Sequence, residues 1–343
     1  MGPNLESDGA GRTSPSIHGW DCVNLSVSYV NAIARNTTFD PGGVEKVLRL
    51  KELLVEFWKH SFLKEKLVLK GGTAINLFLS GLPRLSIDLD LNYVDQIERD
   101  AMLSERPRLE TAVRQVCTGL GYRLQSGADE HALREFYLGF TSIAGRRDQI
   151  QVEINFLMRA CTLPPSLELA TRLADEPDCQ FPVLAVEELM GSKLKALIDR
   201  RHPRDLYDAF RFLSSTVNYE RELLRKLTVL FASTYDRDLR EFKPERYRNI
   251  EQADVERLLY PLLKADDRPT AGEMLSPVAP LLNDVLDFGK EKAYLQALAA
   301  GKYRPELLFA DYPKVVQRIA MHPALLWKAA NVASHLARSE ESG

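Results

Sequence analysis

The chain has 343 residues, of which 45% are hydrophobic, 27% charged and 8% aromatic, an ordinary globular make-up with room for two units around a sizeable core. Its net charge of −3 gives no bulk attraction to nucleic acid, so any RNA or DNA contact must use a local basic patch. No apolar run approaches the ~18 residues of a membrane span, the start MGPNLESDGAGRTSPS lacks a signal peptide's apolar stretch, and Cys22, Cys117, Cys161 and Cys179 show no metal-ligand spacing. The expectation is a cytoplasmic protein with reduced thiols and no membrane partner.

Residues 1–16 read as a disordered tail. From Val44 to Phe62, Val44, Val47, Leu48, Leu53, Leu54, Phe57 and Trp58 recur at helical intervals. Leu67 to Leu69 reads as a short buried strand that Gly71-Gly72 turns into a helix over Ala74 to Leu79, and Ile87 to Tyr93 as a further strand. Residues 107–120 carry an amphipathic helix ended by Gly121. Phe136 to Ile143 and Gln149 to Leu157, separated by Ala-Gly-Arg-Arg-Asp, make an antiparallel hairpin. The proline-bearing stretch CTLPPSLELATRLADEPDCQFP reads as an irregular seam. Beyond it, helices are expected over 185–201, 204–214, 219–233, 252–263, 279–299 and 323–337, with KADDRPTAGEMLSP as an exposed loop. The fold class is therefore α+β: a mixed sheet with helices over 17–165, a helical C-terminal part over 166–338, and a tail at 339–343.

The strand Ile87-Asp88-Leu89-Asp90-Leu91 raises a chemical question. Alternation puts Ile87, Leu89 and Leu91 on one face and Asp88, Asp90 and Asn92 on the other. Two carboxylates on one strand face repel, and aspartate is a poor strand former, so a solvated acidic face competes evenly with a cation site. In QIQVEINFL, Gln151, Glu153 and Asn155 share the polar face, so Glu153 reaches the aspartates if the two strands are neighbours. Asp88, Asp90 and Glu153 together would form a hard oxygen site suited to Mg²⁺. Gly71-Gly72-Thr73, between strand and helix, leaves backbone N–H groups where a phosphate can approach.

That combination resembles the polymerase-β-type nucleotidyltransferases. The longer string KGGTAINLFLSGLPRLSIDLDLNY, with VEELMGSKLKALIDRRHPRDLYDAF, YRPELLF and HPALLWKAAN, resembles the AbiEii/AbiGii toxin family, which includes the MenT toxins. The resemblance implies a nucleotidyltransferase core completed by a helical C-terminal half. It implies a Mg²⁺-dependent toxin of a toxin–antitoxin or abortive-infection system that moves a nucleotide from an NTP to the 3′ end of tRNA, with an antitoxin as partner. On matching positions, Gly71, Gly72 and Thr73 correspond to the phosphate-binding turn, and Arg84, Ser86, Asp88 and Asp90 to the R-x-S-x-D-x-D motif. Transfer to a protein or small-molecule hydroxyl, and a silent nucleotide-binding partner module, stay open beside this reading.

The family's later motif carries a lysine and an aspartate, and here each has two candidates. On a helical wheel Lys193 falls inside the apolar arc of Val186, Leu189, Met190, Leu194, Leu197 and Ile198, whereas Lys195 points to water. A lysine on a buried face needs a partner, either a triphosphate or a structural ion pair with Asp205 or Asp208. Asp205 borders the apolar arc of the next helix more closely than Asp208 and is the preferred aspartate. Arg200, Arg201 and Arg204 form a candidate phosphate patch, with Arg146 and Arg147 as a second. Trp327, beside Leu325, Leu326 and Val332, reads as core packing. The six histidines show no zinc spacing, and no G-x-S-x-G elbow occurs.

Overall fold

A computed structural model describes residues 25–234, 239, 249–285, 287 and 289–341; the expected N-terminal tail lies outside them. The chain opens with α1 (Val27–Thr37) and α2 (Pro41–Lys59). Asp40 caps α2 by accepting from Gly43 N at 2.9 Å, and Pro41 stands where no helical donor is needed. β1 (Leu67–Lys70) runs into α3 (Gly71–Thr73), which continues as a π-helical stretch over Ala74–Leu79. There follow β2 (Leu89–Tyr93), α4 (Arg99–Gly119), β3 (Arg123–Glu130), β4 (Leu133–Thr141), β5 (Arg147–Asn155), β6 (Ser166–Leu169) and β7 (Gln180–Val183). The rest is helical: α5 (Val186–Arg200), α6 (Pro203–Leu213), α7 (Arg221–Ala232), α8 (Gln252–Leu258), α9 (Ala271–Val285), α10 (Lys292–Ala299), α11 (Pro313–Ile319) and α12 (Pro323–Glu341).

The seven strands form one mixed sheet in the order β3-β4-β5-β2-β1-β7-β6. β1 and β2 are antiparallel, while β2 and β5 run parallel, with Leu89 opposite Val152 and Asp90 opposite Glu153. Leu89, Leu91, Ile150, Val152 and Ile154 are all fully buried on the inner face. Burying each such side chain stabilises by about 1.5–3 kcal/mol. A one-residue slip would turn the whole row outward, so the inner face fixes the register that aligns the outer carboxylates.

Several expectations need correction. The stretch read as a seam supplies β6 and β7, whose Phe181 and Val183 are fully buried. Four-residue strands, one of them holding Pro182, are too short to show alternation. α4 begins at Arg99 and holds Pro107 within it, and β3 and α1 were not foreseen. Residues 271–277 belong to α9 and not to an exposed loop, with Met274 buried, and the expected helix over 279–299 divides into the end of α9 and α10. One hydrophobic core joins the inner sheet face to α2, α5, α6 and α9, and a second gathers Leu227, Phe231, Tyr294, Phe309, Ile319 and Leu325 under α7 and α10 to α12. No helix among the described residues is long and apolar enough to cross a membrane.

His322, just before α12, is fully buried with neither ring nitrogen hydrogen-bonded. Burial lowers its pKa from 6.5 to about 4. The folded state therefore refuses a proton that the unfolded chain accepts, so stability is complete above the unfolded pKa and falls as the pH drops through it toward the folded one. We expect His322 to cost about 2 kcal/mol of unfolding free energy between neutral pH and about pH 5. Urea titrations of wild type and His322→Leu at both pH values check this; an equal acid loss in the two proteins would refute it.

Candidate active site

The Gly-Gly turn is shaped by what it must approach. Gly71 has φ +74°, and a Cβ there would lie 2.2 Å from Asp90 Oδ2. A Cβ on Gly72 would lie 2.9 Å from both Ser86 Oγ and Arg84 Nη2. The turn thus needs glycine because the side chains of the following segment fill the space a methyl would take. Thr73, only 1% exposed, donates its hydroxyl to the Asp88 carbonyl at 2.5 Å and is also bonded to Ser86 Oγ at 3.0 Å. It splices the turn to the aspartate segment and is not among the residues that line the cleft. Gly71→Ala should displace Asp90 or unwind the turn, lowering stability by about 1–3 kcal/mol together with activity. A thermal melt at wild-type temperature with wild-type turnover would refute this.

Asp88 sits one residue before β2 and Asp90 within it, both on the outer sheet face. Burial and the charge of Asp90 raise the Asp88 carboxyl pKa, while Arg204, with Nη1 3.8 Å from Asp88 Oδ2, partly offsets them. Across the sheet, Lys70, Asp90, Glu153 and Glu135 fall in one register row on four adjacent strands. Glu153 is therefore beside Asp90, as alternation expects. Its carboxylate is nevertheless held by Lys70 Nζ at 3.2 Å, and among the described residues no three His, Cys, Asp or Glu side chains gather as a metal-ligand set. Lys70, on the same face one strand beyond Asp90, is the partner that Glu153 takes here.

Beneath the aspartates lies a buried ionic network. Arg84 donates Nε and Nη2 to the two oxygens of Asp208, each at 2.7 Å, and Nη1 to the Leu85 carbonyl at 2.8 Å. Asn76 adds a bond to Asp208 Oδ1 at 3.0 Å. Lys193 Nζ lies 3.0 Å from Asp208 Oδ2 and 3.0 Å from Asp205 Oδ1. Arg200 closes the chain with Nε and Nη2 on Asp205 at 2.7 and 2.9 Å. Burial alone would raise the Asp205 carboxyl, but Lys193 and Arg200 outweigh it and hold it well below the usual range. Burial likewise works against the Lys193 ammonium, but Asp208 and Asp205 keep it charged. Three cations face two carboxylates, so the cluster carries one net positive charge. The structural ion pair that competed with a triphosphate for Lys193 is thus present, and it takes both candidate aspartates.

These residues line a cleft of about 630 Å³. Gly71, Gly72, Arg84, Ser86, Asp88, Asp90 and Glu153 come from the sheet side, and Lys193, Lys195, Arg200, Arg204 and Asp205 from α5 and α6. Asp205 reaches the cleft, whereas Asp208 stands behind it. Lys195 is not an outer-surface residue: it lies on the cleft wall, paired with Asp199 one turn along α5. Ala324 and Trp327 of α12 close the opposite wall, and Trp327 is 58% exposed, contrary to the core packing read from its apolar neighbours. Arg146, Arg147 and Arg201 are exposed and away from the cleft lining. Two residues escaped the sequence reading. His202 caps α6 by accepting from Arg204 N at 3.1 Å, and burial beside Arg204 lowers its pKa to about 4. Glu188 lines the cleft with its carboxyl pushed up by burial to about 7, accepting from Leu163 N at 3.1 Å.

The family model for the nucleotidyl transferase AbiEii toxin of type IV toxin–antitoxin systems matches residues 52–300. The chain belongs to the AbiEii family. It is accordingly a nucleotidyltransferase, and AbiEii membership brings with it a nucleotide substrate and an antitoxin partner. Among solved structures, the AbiEii chain is similar in fold to MenT4, the nucleotidyltransferase toxin Rv2826c of Mycobacterium tuberculosis H37Rv. The TM-score is 0.61 at 19% identity, covering 87% of this chain and 99% of that one. JHP933 from Helicobacter pylori matches at TM-score 0.45 and 17% identity over 80% of this chain and 99% of that one. No curated protein sequence matches the chain. The AbiEii match takes in the Gly-Gly turn, Asp88, Asp90, Lys193 and Asp205, and stops before α11 and α12.

Proposed function

We propose that this AbiEii nucleotidyltransferase uses Mg²⁺ to transfer a nucleotide from an NTP to the 3′ end of tRNA, in the cytoplasm. The observation that carries the reading is the pair Asp88 and Asp90, open to a cleft whose floor is a net-cationic network. Two crowded carboxylates, with the Asp88 carboxyl pushed up by burial and by the charge of Asp90, are a hard oxygen donor set that a divalent cation would relieve, so they fit Mg²⁺. Asp88 and Asp90 would hold it, with Glu153 available on leaving Lys70. When bound, Mg²⁺ would neutralise triphosphate charge and acidify the acceptor hydroxyl.

The remaining work falls to the chain. Gly71 and Gly72 line the cleft, where their turn would face the triphosphate, and Ser86 offers a hydroxyl beside them. Arg200 and Arg204 stand at the opening, with the buried Lys193–Asp205 pair behind, placing positive charge along the path of the leaving group. Arg84 acts one step back, holding Asp208 and through it Lys193. In the transfer the acceptor oxygen forms a bond to the α-phosphorus, the bond to the β-phosphate oxygen breaks, pyrophosphate departs, and the hydroxyl proton passes to solvent. The tRNA acceptor is supported by the resemblance to the MenT toxins.

The test is incubation of purified protein with each α-labelled NTP and total tRNA, with Mg²⁺ or with a chelator. Label should enter RNA only with Mg²⁺, and periodate oxidation of the RNA 3′ diol should block it. Label in protein alone, or transfer indifferent to the 3′ diol, would overturn the acceptor assignment.

A further inference from the structure

The cleft does not end at Trp327. Beyond it lies a second cavity of about 610 Å³, walled by Ile97, Met102, Phe156, Leu157, Met321 and Trp327. Leu157 and Trp327 line both cavities, so the two chambers meet there. Along the first turns of α12, Pro323 and Leu326 face the second chamber and Ala324 faces the cleft, with Trp327 on the ridge between. Trp327 and Met321, 58% and 65% exposed, are large apolar side chains left in water at this junction.

We propose that the second chamber is an acceptor subsite, receiving an unpaired nucleobase from the 3′ end of the RNA and stacking it on Trp327. The proposal rests on the RNA-acceptor reading above. Size is the first argument. Each chamber falls within the range that encloses a single small ligand, and the donor triphosphate occupies the cleft with the aspartates. The second reactant of a two-substrate transfer then needs a neighbouring chamber, and this one adjoins the first at Leu157 and Trp327. Chemistry is the second argument. The walls are apolar, and the cations beside them are Arg159, fixed by its Nε on the Ile97 carbonyl at 2.8 Å and its Nη1 on the Phe156 carbonyl at 2.7 Å, and the exposed Arg99, bonded to His131 Nε2 at 3.2 Å. Two carboxylates stand beside these arginines: Glu98, whose oxygen caps α4, and Asp100, 3.3 Å from Arg99 Nη1. Apolar surface with an exposed aromatic and flanking guanidinium groups is how unpaired RNA ends are held, by stacking and not by base pairing.

The experiment compares wild type, Trp327→Ala, Trp327→Phe and Met321→Ala as full-length proteins, using labelled NTP with total tRNA and with an unstructured RNA oligonucleotide. Trp327 and Met321 are exposed, so folding should survive, and a thermal melt verifies it. In Trp327→Ala the KM for RNA should rise about tenfold or more while the KM for NTP holds, and Trp327→Phe should recover most of the loss. RNA-induced quenching of tryptophan emission should be present in the wild type and absent from Trp327→Ala. An unchanged KM for RNA overturns the subsite. A rise in the KM for NTP instead gives the chamber to the donor base and overturns it too, as does a loss confined to inhibition by the antitoxin, which would make the patch a protein-docking face. Wild type that labels no RNA at all overturns the acceptor reading, and the subsite with it, before any variant is compared.

Discussion

Replacing Asp88 or Asp90 by alanine should lower nucleotide transfer by roughly a thousandfold or more while the protein melts at or above the wild-type temperature. Both expectations follow from one geometry. The two carboxylates stand on the outer face of a strand segment whose inner residues, Leu89 and Leu91, are fully buried, so the fold is held from the other side. Nothing in the core depends on either acid. Their mutual repulsion and aspartate's poor fit to a strand both vanish in the variant. Side chains that cost stability on a cleft-facing strand fit the cation role proposed for them. Initial-rate assays and melting curves of the two variants decide it. Wild-type turnover in either variant would remove the aspartates from the site, and a fall in melting temperature would mean that they hold the sheet together.

Much of this site is legible because strand and helix periods are geometric. Alternation alone assigns Asp88 and Asp90 to one face, and the pairing of β2 with β5 then brings Glu153 opposite Asp90. The helical wheel places Lys193 on the buried arc, where it is 7% exposed. Periodicity does not report which partner a side chain takes. Glu153 faces the right way but is held by Lys70, and the Thr73 hydroxyl, for all its place in a phosphate-binding motif, is bonded to the chain itself. Nor does periodicity separate a core from a cleft wall. Trp327 sits among apolar residues because α12 packs Leu325 inward, yet its own indole looks across the cleft. Lys195, rotated well away from Lys193 on the wheel, still reaches the cleft because the cavity wraps around α5. The buried Arg84–Asp208 pair joins residues far apart in the chain, and no local pattern announces such a contact.

Lys193 is where catalysis and stability should be hardest to separate. Its ammonium bridges Asp205 and Asp208, both essentially buried, and burial of unpaired carboxylates is what makes breaking such a bridge expensive. Each aspartate keeps an arginine of its own when the lysine is lost, Arg200 for one and Arg84 for the other. The destabilisation of Lys193→Ala should therefore lie at the lower end of the usual range for a broken buried pair, about 3 kcal/mol. Transfer should fall below detection, because the cleft floor changes from one net positive charge to none just where a pyrophosphate would leave. Lys195→Ala is the matched comparison. That lysine makes one i,i+4 pair with Asp199 and should cost well under 1 kcal/mol, with most activity retained. Urea unfolding and NTP titration on both variants, with Lys193→Met to keep the side-chain volume, separate the two roles. If Lys193→Met is stable and fully active, the network is scaffolding that tolerates loss of its centre. If Lys195→Ala is the inactive variant, the cleft draws its working cation from Lys195 on its wall and not from the buried network.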